Sequence, residues 1–295
     1  MEQRVVIVTG CSSGIGRALC YALHGKMDTK GRKLFRVFAT ARRLESLQKL
    51  QEDGIEAVAC DVTAAQSVEA CRAAVIKAAG AVHVLVNNAG MQATGPLVEQ
   101  PIEHFQMVQD TNCTGPVRMI QAFAPAMIKQ GSGLIVNVCS VSSYVDLPLS
   151  AAYNASKSGL LSVTNVLRME LEPLGVHVMT VTAGVIASDI GAKNVCDVQR
   201  YYDSGSAYGS MADAIKHRME VLATSGEVMP AEEAAEAIAA AIARPRPPRE
   251  IVTGARARTA LLAGFLQKWL WPGVVERKMS RMFGLDNLRR VAQKQ

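Results

Sequence analysis

The sequence predicts a doubly wound α/β fold around a seven-stranded parallel sheet, and three observations carry that expectation. Seven short β-branched runs recur along the chain, helix-length segments separate them, and a glycine-rich turn follows the first. Runs that are apolar throughout, instead of alternating, belong to strands buried on both faces. Right-handed crossovers then put helices on both sides of the sheet and a ligand crevice at the carboxyl ends of the strands.

The runs fall at residues 5–9, 36–40, 56–59, 82–87, 134–138, 177–182 and 250–253. The first leads into Thr9-Gly10-Cys11-Ser12-Ser13-Gly14-Ile15-Gly16 and then an apolar-periodic helix, while the polar, basic stretch 24–33 reads as the loop to the second strand. After the sixth run, residues 191–226 are polar, carry Tyr201, Tyr202 and Tyr208, and show only weak helical periodicity before Met211. That segment reads as a lid over a substrate pocket. No Pro/Gly/Ser-rich linker interrupts the first 250 residues, so residues 1–254 form one domain and 255–295 an extension. There is no internal repeat.

About half the 295 residues are apolar, enough for a large core and against disorder. The seven cysteines form no CxxC pair and read as reduced, mostly buried thiols of a cytosol-facing compartment. Met1 is followed at once by polar residues and a strand, so no signal peptide is expected. The five histidines have no metal-ligand spacing, and no metal site is expected. The net charge of +6 is uneven: from Gly254 onward nine Lys/Arg face two acids, a local +7 that leaves the rest near −1. Interleaved aromatics and a binding motif are missing for nucleic acid, so no nucleic-acid partner is expected.

Glycines in the turn after the first strand let the backbone bend sharply and approach a pyrophosphate. The helix N-terminus beyond offers N–H groups and positive potential to the phosphates, a Rossmann-type arrangement. A tight strand-to-helix turn without a ligand is the alternative. At the end of the second strand, Arg42 and Arg43 stand with no acid before Glu45. A ribose 2′-hydroxyl calls for an acid there, whereas a 2′-phosphate suits a guanidinium, which predicts NADPH/NADP+ over NADH. Tyr153 and Lys157 lie four apart on one helix face, thirteen residues after Ser140 at a strand end. Reducing a ketone requires a proton at oxygen as hydride reaches carbon; a tyrosine beside an ammonium can supply it, and a serine can hold the oxygen. Cys139, next to Ser140, has nothing basic beside it in sequence and reads as an inert buried thiol.

The GxxxGxG spacing of Gly10, Gly14 and Gly16, Asn87-Asn88-Ala89-Gly90 after the fourth strand, Asp61-Val62 after the third, and the Ser140–Tyr153–Lys157 set resemble the short-chain dehydrogenase/reductase family. The resemblance implies catalytic roles for Ser140, Tyr153 and Lys157. It makes Asn112 the fourth member, holding a water that links Lys157 to solvent. It further implies cofactor contacts from Gly10, Ser12, Ser13, Gly14, Ile15, Gly16, Asp61, Val62, Asn88, Ala89 and Gly90. Lys157 would also hold the nicotinamide ribose. The family's usual Pro-Gly after the sixth strand is Ala183-Gly184 here, and Val185 is carried over for a backbone contact to the carboxamide. Helices around 112–129 and 153–171 imply a homodimer.

The 182–190 stretch (TAGVIASDI), Met229-Pro230-Ala231 and the 280–286 tail (SRMFGLD) are similar to fungal NADPH-dependent 1-acyl-dihydroxyacetone phosphate reductases. That similarity implies a lipid-like ketone substrate and an endoplasmic-reticulum or lipid-droplet surface, with a soluble cytoplasmic protein as the alternative. Lys193, Arg200, Lys216 and Arg218 are the expected phosphate cations, with a solvated lid face as the alternative. The 9–16 loop and 115–119 (GPVRM) also resemble 17β-hydroxysteroid and retinol dehydrogenases. A non-catalytic NADPH-binding lipid-surface protein is the alternative of another class. Residues 259–275 (TALLAGFLQKWLWPGVV) are apolar but interrupted by Gln267, Lys268 and Pro272, too broken to span a membrane. With Trp269 and Trp271 near arginines, they suit a headgroup layer, or a helix docked on the domain.

Overall fold

The computed structural model describes residues 3–188, 197–202, 205–217, 228–285 and 288. Seven strands lie in one parallel sheet in the order β3-β2-β1-β4-β5-β6-β7. They are β1 (Arg4–Val8), β2 (Phe35–Ala41), β3 (Glu56–Ala59), β4 (Val84–Asn87), β5 (Gly133–Ser140), β6 (Val176–Ala183) and β7 (Glu250–Thr253). The expected fold class is therefore the observed one. Every predicted run is a strand, with ends shifted by at most two residues. Thr9, expected inside the first strand, lies just past it but still donates its N–H to Val86 O at 2.9 Å.

Side chains of each central strand alternate between two cores, as a sheet covered on both faces requires. Val6 and Val8 join Val84, Val86, Val136 and Val181 on one face. There they meet Leu19 and Leu23 of α1 (Gly14–His24) and Ile238 and Ile242 of α7 (Ala231–Ala243). Val5 and Ile7 point the other way, toward Val68 and Val75 of α3 (Ala65–Ala79) and Met119, Phe123 and Met127 of α5 (Gly115–Gln130). The short α2 (Gln48–Glu52) covers the β2–β3 connection.

Two devices set the helix that borders the crevice. Asn87 and Asn137 are register partners in β4 and β5, and Asn87 Nδ2 donates to Asn137 Oδ1 at 2.8 Å. Asn137 Nδ2 in turn donates to Thr164 Oγ1 of α6 (Ala151–Leu171) at 2.9 Å. Near its far end, Arg168 donates from Nε to Val178 O at 2.9 Å and from Nη2 to Thr180 Oγ1 at 2.8 Å. Buried polar groups demand partners, so these bonds fix α6 in position along the sheet. Alongside it, α4 (Ile102–Gln109) continues through a π-helical turn, Asp110–Thr114, into α5.

Past β7 the chain forms α8 (Ala257–Phe265), a second π-helical turn (Leu266–Leu270) and α9 (Pro272–Met282). Among the described residues, no helix is long and apolar enough to cross a membrane. Phe283, Leu285 and Leu288 pack on a small core made by Leu149, Tyr201, Met211 and Ile215. The C-terminal segment thus touches the described part of the expected lid. Lys193, Cys196 and Arg218 lie outside the described residues.

Candidate active site

A cleft of about 580 Å³ opens at the carboxyl ends of the central strands. Its first half is the glycine turn. Gly10 and Gly14 adopt φ of 74° and 56°, which a side chain resists. A Cβ on Gly10 would stand 2.7 Å from Ala89 Cα, and one on Gly16 would stand 2.5 Å from both Gly10 O and Asn88 Nδ2. The turn is clamped from β4's end: Asn88 Nδ2 donates to Thr9 O at 2.9 Å, and the backbone N–H groups of Asn88 and Ala89 donate to Thr9 Oγ1 at 2.9 and 3.0 Å. The first turn of α1 carries no acid, so its positive end faces the cleft uncancelled. A backbone cradle too tight for a Cβ, ending at a helix N-terminus, fits a dinucleotide's pyrophosphate.

Asp61 caps its own loop, with Oδ1 accepting from Thr63 N at 2.9 Å and Thr63 Oγ1 at 2.7 Å. Val62 packs against Gly115, and Asp61 and Val62 both line the cleft. Arg42 is exposed at the rim, directly after β2. Gly10, Ser12, Ser13, Gly14, Ile15, Asn88, Ala89, Gly90 and Val185 also line the cleft. Gly16 and Asn112 stand behind its wall. Val185 differs from expectation in one respect: its N–H donates to Ala255 O at 3.0 Å, and its carbonyl accepts from Met229 N and Ala255 N. Both backbone groups are therefore used within the chain.

The second half gathers Ser140, Tyr153 and Lys157. Ser140 ends β5, is buried, and accepts the Ser142 N–H at 3.1 Å. Tyr153 hydrogen-bonds Ser140, yet burial pushes its phenol up to about 12 because the phenolate would lose its solvation. Lys157 Nζ lies 5.8 Å from the Tyr153 ring centroid and donates to Val138 O at 2.8 Å. Burial also holds the Lys157 ammonium below its ordinary value. Desolvation is the main cause of the Tyr153 rise, the bond with Ser140 pulls the other way, and Lys157 is not among the groups that move Tyr153 in this geometry. Cys139 is a buried thiol raised to about 11 by desolvation, in keeping with an inert side chain.

Asn112, fully buried in the first π-helical turn, grips one residue twice. Its Oδ1 accepts Met91 N and its Nδ2 donates to Met91 O, each at 2.9 Å. The same Nδ2 donates to Ser156 Oγ at 3.0 Å. Across Gly90, an added Cβ would lie 3.4 Å from Asn112 Oδ1 and 3.8 Å from Lys157 Nζ, so the two side chains flank one glycine.

Met91, Gln92, Met107, Leu147 and Ile186 also line the cleft, together with polar residues such as Thr111, Ser142 and Ser150, and sequence reasoning missed all five of the former. Met91 and Gln92 carried one signal, their place directly after Gly90; the others had none. Of the expected phosphate cations, Arg200 stacks over the Tyr201 ring at 5.9 Å and Lys216 is exposed. Neither lines the cleft.

A parallel, doubly wound sheet with a glycine cradle and a serine, tyrosine and lysine grouped in one cleft defines a dinucleotide-dependent oxidoreductase. The chain belongs to the short chain dehydrogenase family, which it matches over residues 4–199. It is 39% identical over 193 residues to the NADPH-dependent 1-acyldihydroxyacetone phosphate reductase of Schizosaccharomyces pombe, covering 65% of this chain and 62% of that one. The match thus spans less than two thirds of that reductase's length. Human 17-beta-hydroxysteroid dehydrogenase type 1 is 32% identical over 258 residues, covering 84% of this chain and 76% of that enzyme. A crystal structure of a short-chain dehydrogenase from Streptomyces avermitilis superposes with a TM-score of 0.75 at 28% identity, covering 95% of this chain and 98% of the other.

Proposed function

We propose that this oxidoreductase uses NADPH to reduce the ketone of a lipid-like substrate, 1-acyl-dihydroxyacetone phosphate, to the corresponding 1-acyl-glycerol 3-phosphate. The single observation that carries the chemistry is the convergence of Ser140, Tyr153 and Lys157 beside a dinucleotide cradle. Arg42 at the end of β2 is the group for a 2′-phosphate, and the glycine turn, Asp61, Val62 and the 88–90 segment hold the remainder. NADPH, when bound, supplies the hydride. Ser140 holds the substrate oxygen as charge develops on it, and Tyr153 gives that oxygen its proton. Lys157 holds the ribose hydroxyls and passes a proton back to Tyr153. Asn112 keeps the backbone at Met91 in place beside this path.

The lipid-like substrate is supported by the apolar wall of Met91, Met107, Leu147 and Ile186, and by likeness to the fission-yeast reductase. The same wall, with no Arg200 or Lys216 in it, favours the second reading, a 17β-hydroxysteroid or retinoid ketone. We further propose that the chain works as a homodimer and at a membrane or lipid-droplet surface. Leu262, Phe265, Trp269, Leu270 and Trp271 are exposed near Lys268, Arg277, Lys278 and Arg281.

The test is NADPH oxidation by purified protein with 1-acyl-dihydroxyacetone phosphate, estrone and all-trans-retinal compared side by side. Selective turnover of the acyl phosphate is expected, and preference for estrone or retinal moves the substrate to the second reading. Tyr153→Phe should lower kcat by about 10²–10⁴-fold and leave NADPH binding intact. Undiminished turnover by that variant would falsify the catalytic assignment.

A further inference from the structure

We infer that Gln267, in the C-terminal segment, is a positioning residue for the substrate side of the cleft and sets how long a carbon chain the site accepts; the inference rests on the lipid-ketone reading above. Gln267 Oε1 accepts the Asp146 N–H at 3.0 Å, and its Nε2 donates to Asp146 O at 3.4 Å. The two residues are 121 positions apart. Asp146 belongs to the segment that joins Ser140 to Tyr153, and its neighbour Leu147 forms part of the cleft wall.

Gln267 is 7% exposed, while Lys268, Trp269, Leu270 and Trp271 after it all face outward. A buried amide without partners is costly, so this side chain is turned inward for the bonds it makes. The π-helical turn Leu266–Leu270 supplies the extra residue that aims it. Immediately before it, Gly264 seats α8 on the backbone of Tyr144, where an added Cβ would meet the Tyr144 carbonyl. The first π-helical turn does the same thing elsewhere on the cleft: Asn112 takes both backbone groups of Met91. Two π-helical turns thus each present one primary amide to one residue bordering the cleft.

Beyond Asp146 the segment is under tension. Leu149 adopts φ of 63°, a conformation that a branched side chain resists, and its carbonyl accepts Gly95 N at 2.9 Å. Leu147 therefore sits between two fixed points, Asp146 and Leu149. Release of the Asp146 anchor lets Leu147 move away from the cleft. A long acyl chain loses that wall, whereas a short ketone held by Ser140 and Tyr153 alone does not depend on it.

The experiment uses the full chain with Gln267→Met, which keeps the volume and removes both hydrogen bonds. Steady-state kinetics are run with NADPH over a series of ketones of increasing chain length, beside hydrogen exchange of the 144–149 backbone. The expected result is a rise of about tenfold in KM for the long ketones, equivalent to one or two hydrogen bonds. Values of kcat, KM for the shortest ketone and NADPH affinity should stay unchanged, and exchange at Asp146 should accelerate. Gln267→Glu keeps the acceptor for Asp146 N–H and should fall between the two, which also serves if the methionine variant does not fold. An unaltered chain-length profile overturns the proposal, and so does an equal loss for short and long ketones. Absent turnover of the acyl phosphate by the unaltered chain counts against the substrate reading alone; the positioning role is then judged on whichever ketones the chain reduces.

Discussion

In the proposed mechanism Tyr153 decides the direction of proton traffic. Desolvation raises its phenol to about 12 from the usual 10.0, and only the hydrogen bond with Ser140 pulls the other way. A raised value means that the proton stays on through the neutral range, which suits a donor and handicaps a base. Reduction should then show kcat/KM flat from about pH 6 to 9, because the acid form is fully populated throughout. Oxidation of the alcohol needs the phenolate, whose fraction grows tenfold per pH unit until it saturates near about 12. Initial rates in both directions across this range check the sign. A reduction rate that falls between pH 7 and 8 would mean that the working value is near neutral and that Lys157, not burial, controls it.

At the scale of elements, the order β3-β2-β1-β4 sets the ends of β1 and β2 side by side, with Val8 opposite Ala39. That register brings Arg42, the first residue past β2, to the rim of the cradle whose floor is Gly10 and Gly14. Arg42→Ala should weaken NADPH binding by roughly ten- to a hundredfold, the worth of a charge-assisted pair, and leave NADH binding unchanged. Fluorescence titration with both cofactors reads this directly, and an equal loss for both would assign Arg42 a structural part instead. Arg42, the glycine turn and the 87–90 segment were legible in the sequence because each is a local pattern at a strand end. The strands were legible because both their faces are buried. Asn112 was reached by resemblance alone, since its contacts to Met91 and Ser156 depend on how a π-helical turn aims it. Gln267 read as an interruption of an apolar run, because its partner is 121 residues away. The wall of Met91, Met107 and Leu147 comes from three separate segments, so no spacing announces it. Arg200 and Lys216 are the complementary case: their charge was visible in the sequence, but not that Arg200 stacks on Tyr201 or that neither lines the cleft of the described residues.

The whole molecule divides its charge unevenly, with the surplus of +7 from Gly254 onward against −1 elsewhere. The same stretch holds the most exposed aromatic side chains, Trp269 at 75% and Trp271 at 57%. Tryptophan belongs at a headgroup layer, where its ring is apolar and its N–H is wet, and each nearby Lys or Arg adds about 1 kcal/mol at an anionic surface. The segment is also joined to the catalytic end by, among others, Gln267 on Asp146 and Phe283 and Leu285 on the core that holds Tyr201. A surface that captures the tail would therefore lie close to the cleft into which the proposed lipid-like ketone would enter. Co-sedimentation of the full chain with vesicles containing phosphatidylserine should show binding that pure phosphatidylcholine does not support. Added salt should weaken it, since screening shortens the reach of Lys268, Arg277, Lys278 and Arg281. The double variant Trp269→Ala/Trp271→Ala should lower the partition at least about tenfold with NADPH oxidation of a short ketone unchanged. Binding that is equal on both lipids, or indifferent to the two tryptophans, would instead make this face a contact for protein, and a concentration-dependent dimer lost in the same double variant would identify a second copy as the occupant.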